Sequence, residues 1–255
     1  MTEEPRKAES EVWQHLPLSG SVASGSKVPT VARGDNVFLF YPNLLGYVRI
    51  FLALGAFWAM SSGEKPWRSA LWYFTSALLD AFDGYLARKF DQSSRFGAML
   101  DQLTDRLTFL GVLMTLCHFY SSKMLFFQFI AFLDIAAHWM HLHATDLTGK
   151  ESHKGSPNPV LNFYYTSKPC LFWMCFGNEA FYGLLYINYF WAGPALLFGI
   201  HLMPVLAALT CPVALAKSAL NVLHLVMASQ TVVEHDQEQR RRTSKQRMEE
   251  GKKGI

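Results

Sequence analysis

Residues 78–106 read LLDAFDGYLARKFDQSSRFGAMLDQLTDR, and four aspartates interrupt an otherwise greasy stretch: Asp80, Asp83, Asp101 and Asp105. An aspartate at mid-membrane costs about 2.5–3.5 kcal/mol on insertion scales, so four cost about 10–14 kcal/mol if unpaired. Something must offset that charge. Asp80 and Asp83 are three residues apart, and Asp101 and Asp105 four, so each pair shares one helix face. Residues 89–96 turn the two helices into a hairpin. At about 1.5 Å per residue, Asp83 lies about 10 Å before the turn and Asp80 about 15 Å. On the far side Asp101 lies about 9 Å beyond it and Asp105 about 15 Å. In an antiparallel pair Asp83 is therefore level with Asp101, and Asp80 with Asp105.

Four carboxylates gathered at one depth suit one or two Mg²⁺ or Mn²⁺ ions, hard cations that prefer oxygen. Two such ions about 3.5–4 Å apart would clamp the oxygens of a phosphoryl displacement. Gly84 follows Asp83, and Gly97 precedes Asp101 by one turn. Each permits close helix packing or lets a phosphate or ribose approach the backbone. Arg88 lies one turn beyond Gly84, placed to grip a diphosphate bidentately or to anchor the helix at the membrane surface.

Around this stretch, apolar runs of about 20 residues recur, each long enough for a hydrocarbon core of about 30 Å. The 255 residues are 51% hydrophobic and 15% aromatic. Mean hydropathy is only +0.11, because apolar and polar segments are segregated. The pattern predicts an all-α polytopic membrane protein with six spans, near 40–60, 68–88, 97–119, 124–145, 167–190 and 199–229. The carboxylate site falls between helices 2 and 3. Residues 1–36 read as a disordered tail, 37–230 as the transmembrane domain and 231–255 as a solvated tail, helical or disordered. Residues 146–166 form the only long central loop. Pro204 and Pro212 kink the last apolar stretch or delimit its start. With six spans both termini share a side. That side holds seventeen lysines and arginines against three on the other, which makes the termini, the hairpin turn and the site cytosolic. No cleavable signal precedes the first span. The net charge of +3 is too small for a nucleic-acid binder. Cys117, Cys170, Cys175 and Cys211 lack zinc-ligand spacing and read as packing residues rather than disulfides.

Asp80-x-x-Asp83-Gly84-x-x-Ala87-Arg88, eight residues, then Gly97-x-x-x-Asp101-x-x-x-Asp105 resembles the signature of the CDP-alcohol phosphotransferases. The resemblance extends over about residues 36–230. Within that family, residues 36–50, 134–154 and 164–187 are similar to the eukaryotic phosphatidylinositol synthases. It implies that all four aspartates bind metal, that Asp105 is also the general base, and that Gly84 and Arg88 contact the CDP part of the donor. Ser94 matches, less surely in register, a family Ser or Thr that joins them. Asn43 matches a donor-site residue near the phosphates, or else caps a helix. The reaction implied moves a phosphatidyl group from CDP-diacylglycerol to myo-inositol and releases CMP. Homodimers are expected on resemblance alone. Asn162 and Lys168 depart from the family, which tends to have arginine at both positions.

Inositol is neutral and polyhydroxylic, so side-chain hydrogen bonders must hold it. Candidates are Ser152, His153, Lys154, Tyr165 and Lys168; each lysine also fits a plain interfacial role. Asp134 and His138, four apart, read as a buried structural pair, and Glu179 as a groove or helix-contact residue. Trp58, Trp72 and Trp139 belong to interfacial belts or packing. A different acceptor (choline, ethanolamine, serine or glycerophosphate) is the nearest alternative, although a phosphorylated one would want more cations than residues 146–168 offer. A cation or proton transporter is the more distant one, and it predicts acids strung along the membrane depth rather than bunched at one level. The ending Lys252-Lys253-Gly254-Ile255 fits a dilysine retrieval pattern, pointing to the endoplasmic reticulum membrane.

Overall fold

The structure, a computed structural model, describes residues 36–62, 66–148, 159–196 and 199–253. Apart from Asn36, the expected N-terminal tail lies outside these residues, as do residues 149–158 of the central loop.

Among the described residues seven α-helices follow one another: α1 Tyr41–Ser62, α2 Pro66–Lys89, α3 Arg95–Phe119, α4 Met124–Thr148, α5 Pro159–Thr166, α6 Lys168–Phe190 and α7 Leu202–Lys253. Short 3-10 turns at Val37–Leu39 and Ser121–Lys123 precede α1 and α4. No strand occurs among the described residues; a single β-bridge joins Ala195 to His201. The expected all-α class holds. Four segments are long and apolar enough to cross a bilayer: Tyr41–Ser62, Ser121–Thr148, Lys168–Phe190 and Leu202–Glu250. The chain is a membrane protein. Helices α2 and α3 have the length, 24 and 25 residues, but carry the aspartates and arginines that dilute their apolar character.

One segment differs from the sequence reading, and one alternative it left open is decided. The loop expected at 146–166 is partly helical: α4 runs on to Thr148, and α5 occupies Pro159–Thr166. The tail from residue 231, expected to be helical or disordered, is helical as far as Lys253, so the last helix does not stop with the apolar run near residue 229. It continues for 52 residues, from Leu202 to Lys253, with Pro204 in its first turn and Pro212 inside it. The switch from apolar to charged side chains at about 231 changes what surrounds the helix. It leaves the backbone hydrogen bonds untouched, and the residues there are good helix formers.

Helix α1 organises the site. Its buried positions Asn43, Gly46, Arg49, Ala53, Ala56 and Met60 recur every three or four residues and make one stripe. In lipid, close packing of small residues does what apolar burial does in water. A Cβ on Gly55 would come within 2.0 Å of the Trp72 ring, and one on Gly111 within 2.2 Å of Phe57. Helix α1 therefore seats against both α2 and α3, while α2 and α3 barely touch one another. Helix α7 packs on α4 and α6. The core between these layers contains Tyr73, Phe109, Leu113, Leu116, Phe127 and Tyr182. Large apolar side chains such as Phe51, Leu125 and Trp139 point outward, as lipid-facing residues must.

Candidate active site

The gap between α2 and α3 is filled by an arginine from α1. Arg49 is only 2% exposed, and its guanidinium meets all four signature aspartates. Nη1 donates to Asp83 Oδ2 at 2.6 Å and to Asp101 Oδ1 at 2.7 Å. Nη2 donates to Asp105 Oδ1 at 2.5 Å and lies 2.8 Å from Asp80 Oδ1. The two nitrogens thus sort the carboxylates into the pairs that helix rise gives. Carboxylate oxygens of Asp80, Asp101 and Asp105 lie within 4.8 Å of one another. Asp83 is more deeply buried, at 11% side-chain exposure against 43% for Asp80 and for Asp101. An all-oxygen donor set suits a hard divalent cation. Among the described residues Arg49 is the cation that meets all four aspartates, while the charge of Arg106 is matched by Asp134. Three formal negative charges remain, more than one divalent ion cancels.

Beside this cluster a cavity of about 210 Å³ opens between the start of α1 and the α2–α3 turn. Asp83 and Asp101 line it, with Asn43, Gly84, Gln92, Ser94 and Gly97. The local sequence builds its walls. Ser94 is the N-cap of α3, its Oγ accepting from Gly97 N at 3.0 Å. Gln92 Oε1 accepts from Tyr41 N at 2.9 Å and ties the turn to the first residue of α1. Asp91 takes a left-handed backbone conformation, φ 53°, to close the turn. Asn43 is not a helix cap. It is the third residue of α1, and its Nδ2 donates back to Val37 O at 2.6 Å. Its Oδ1 is buried without a hydrogen-bond partner. A Cβ on Gly97 would sit 2.7 Å from that oxygen, so the glycine is what allows α1 and α3 to close around it. Arg88 stays exposed, with Nη1 3.3 Å from where a Cβ on Gly84 would stand.

The model of the CDP-alcohol phosphatidyltransferase family matches residues 39–192, which includes the whole of this site. The chain belongs to that family. Over 205 residues it is 46% identical to the CDP-diacylglycerol–inositol 3-phosphatidyltransferase of Homo sapiens, covering 79% of this chain and 95% of the relative. Against the protein of that name from Drosophila melanogaster it is 46% identical over 225 residues, 88% of this chain and 99% of the relative. Against that from Schizosaccharomyces pombe it is 38% identical over 231 residues, 84% and 97%. No solved structure matches significantly.

Behind the aspartates this CDP-alcohol phosphatidyltransferase carries a second polar node that the sequence reading saw only in part. Asp134 is 3% exposed and receives Arg106 Nη1 at 2.9 and 3.0 Å. Asn221 Nδ2 from α7 donates to it at 3.1 Å. His138, the expected partner, bonds the Asp134 backbone oxygen at 2.7 Å and stands 3.6 Å from its carboxylate. The carboxylate's main partner is thus Arg106 on α3. Arg106 Nη2 also lies 3.5 Å from Asp105 Oδ2, which links the two nodes. Glu179 bonds the hydroxyl of Tyr73 across α6 and α2. Arg49 and Arg106 are the functional residues that sequence reasoning missed. The available signal was an arginine inside each apolar span, a costly placement that demands a partner.

Of the acceptor candidates, Ser152, His153 and Lys154 lie outside the described residues, and so does the side chain of Tyr165. Lys168 is exposed at the start of α6. Asn162 is exposed on α5, where its Oδ1 accepts from Thr166 at 3.3 Å. Next to them Lys217 of α7 reaches Tyr164, Nζ to hydroxyl 2.6 Å, and lies 5.0 Å from the ring centroid. The four cysteines are unpaired. Trp58 and Trp72 flank Arg68, whose guanidinium carbon is 5.1 and 4.8 Å from their rings.

Proposed function

We propose that the chain transfers the phosphatidyl group of CDP-diacylglycerol to myo-inositol, giving phosphatidylinositol and CMP. One observation carries the proposal: the four signature carboxylates meet around a single point beside a cavity, on a chain 46% identical to enzymes named for this reaction. Asp80, Asp83, Asp101 and Asp105 would hold Mg²⁺ or Mn²⁺, two ions per site. When bound, the metal neutralises the diphosphate and the charge gathering on the departing CMP.

The residues of the chain divide the remaining work. Gly84, Arg88, Ser94 and Asn43, in or beside the cavity, bind the donor. The orphan Oδ1 of Asn43 awaits a donor group such as a hydroxyl or an amine. Asp105 is the general base. Arg49 occupies its Oδ1, so Oδ2, with Arg106 Nη2 3.5 Å away, is the oxygen that takes the proton from an inositol hydroxyl. That hydroxyl oxygen attacks the β-phosphorus, and the bond from this phosphorus to the bridging oxygen of CMP breaks. Ser152, Lys154, Tyr165 and Lys168 hold the acceptor.

The same reading gives six spans, with α2 and α3 crossing beside the four more apolar segments, and a catalytic domain over residues 37–230. Both termini and the site face the cytosol from the endoplasmic reticulum membrane, and two copies of the chain pair. The charge bias of the loops supports the orientation. Donor then enters sideways from the bilayer, while inositol and CMP exchange through the cytosolic mouth.

Detergent-purified protein, given CDP-diacylglycerol and a panel of alcohols with and without chelator, tests the reading through CMP release. Release that depends on inositol and on divalent metal is expected. Release that is indifferent to inositol, or unaffected by chelator, overturns it.

A further inference from the structure

The proposed chemistry leaves the group at the centre of the site without a task. Arg49 contributes no proton and no metal ligand, yet it spends each η nitrogen on two carboxylates at 2.5–2.8 Å. Its placement does not depend on those carboxylates alone. Ser76 Oγ of α2 donates to Arg49 O at 3.0 Å, which fixes the backbone from which the side chain springs. The small buried residues Gly46 and Ala53, about one turn to either side, bring α1 close to its neighbours. A guanidinium is charged at every accessible pH, and its fork is rigid, so this is a permanent cation held in place.

Two consequences follow from Coulomb's law at these separations. Without the guanidinium, four carboxylates from two helices repel one another at a place where α2 and α3 barely touch. With it, one oxygen of each carboxylate is engaged by the guanidinium, and the second is not. A divalent cation seeking those oxygens meets a positive charge that already shares them. The guanidinium and the metal therefore draw on the same negative charge.

We infer that Arg49 is the internal counter-ion of the carboxylate site, a positioning residue that holds the four aspartates assembled in the metal-free protein and weakens their grip on the metal when it arrives. The inference rests on the metal-site reading above and is independent of which alcohol accepts the phosphatidyl group. It accounts for a conspicuous expense: a buried arginine in a span where apolar residues would insert more easily.

Mn²⁺ binding to the full-length, detergent-purified protein, read by calorimetry, and thermal unfolding with and without Mn²⁺ test it without reference to turnover. Arg49→Gln removes the charge. Its metal-free midpoint should fall below wild type, Mn²⁺ should raise that midpoint by more than it raises wild type, and the Kd for Mn²⁺ should tighten by about tenfold or more. Arg49→Lys keeps the charge without the fork, and its Kd should stay within about threefold of wild type. A Kd for Arg49→Gln equal to or weaker than wild type overturns the inference. So does an Arg49→Lys protein that binds Mn²⁺ as tightly as Arg49→Gln is expected to, a measurement that decides the matter even if the glutamine variant does not fold. Wild-type protein that binds Mn²⁺ but does not use inositol counts against the acceptor and leaves Arg49 as assigned. Wild-type protein that binds no Mn²⁺ removes the metal site and the counter-ion with it.

Discussion

Two carboxylate sites lie side by side in this molecule, joined through Arg106, and they are built on opposite principles. At the Asp134 node one carboxylate has an arginine, whose Nη1 is shared between both oxygens, and an asparagine, with a histidine beside it. Both its oxygens are hydrogen-bonded and its charge is cancelled. At the Arg49 node four carboxylates share one guanidinium, so both charge and oxygens are left over. A balanced polar group buried among helices fastens them together. An unbalanced one is costly to keep, and it makes sense only if a ligand completes it. The cavity opens onto the unbalanced node, through Asp83 and Asp101, and not onto the balanced one.

Substitutions can break this contrast. Asp105→Asn keeps the shape of the side chain and removes the base, so CMP release should fall by about 10³-fold while the unfolding midpoint stays near wild type. Removing divalent metal with a chelator should silence the enzyme as thoroughly, and added Mg²⁺ or Mn²⁺ should restore it. Asp134→Ala should do the reverse, costing about 3–5 kcal/mol of stability by leaving Arg106 buried without its main partner. Turnover per folded molecule should change far less. If instead Asp134→Ala proves fully stable and inactive, the two nodes are not different in kind. Asn221→Leu, which deletes one hydrogen bond to a charged acceptor, should cost about 1.5–3 kcal/mol, seen in the same unfolding measurement. Ser94→Ala sharpens the boundary of the active node. As an N-cap alone it should cost about 1 kcal/mol; a rise in KM for CDP-diacylglycerol beyond that stability loss would mark a donor contact as well.

What could be read from the sequence followed what is local along the chain. The four aspartates sit in two helices joined by a short turn, so helix rise alone put Asp83 beside Asp101 and Asp80 beside Asp105. The apolar runs gave the helices, and the signature gave the family. The partners were not legible, because they come from other elements. Arg49 arrives from a helix some thirty residues earlier in the chain than Asp80, and treating α2 and α3 as a closed pair hid the fact that α1 lies between them. Asp134 was paired with His138 because both were visible on one helix, whereas Arg106 and Asn221 reach it from α3 and α7. The change in polarity near residue 231 marks where the apolar run ends, and it left open whether the tail is helical or disordered, because polarity does not decide the backbone.

That last helix has a mechanical consequence. No proline occurs after Pro212, so the run from Val213 to Lys253 is a single stiff rod about 60 Å long. Asn221, near its inner end, touches Asp134, and the outer end stands well clear of the aspartates. A stiff rod acts as a lever: a tilt of about 5° about its inner end sweeps the far tip through about 5 Å while shifting Asn221 by about 1 Å. Force applied to the exposed tip is therefore geared down into a small, strong displacement at the hydrogen bond between Asn221 and Asp134.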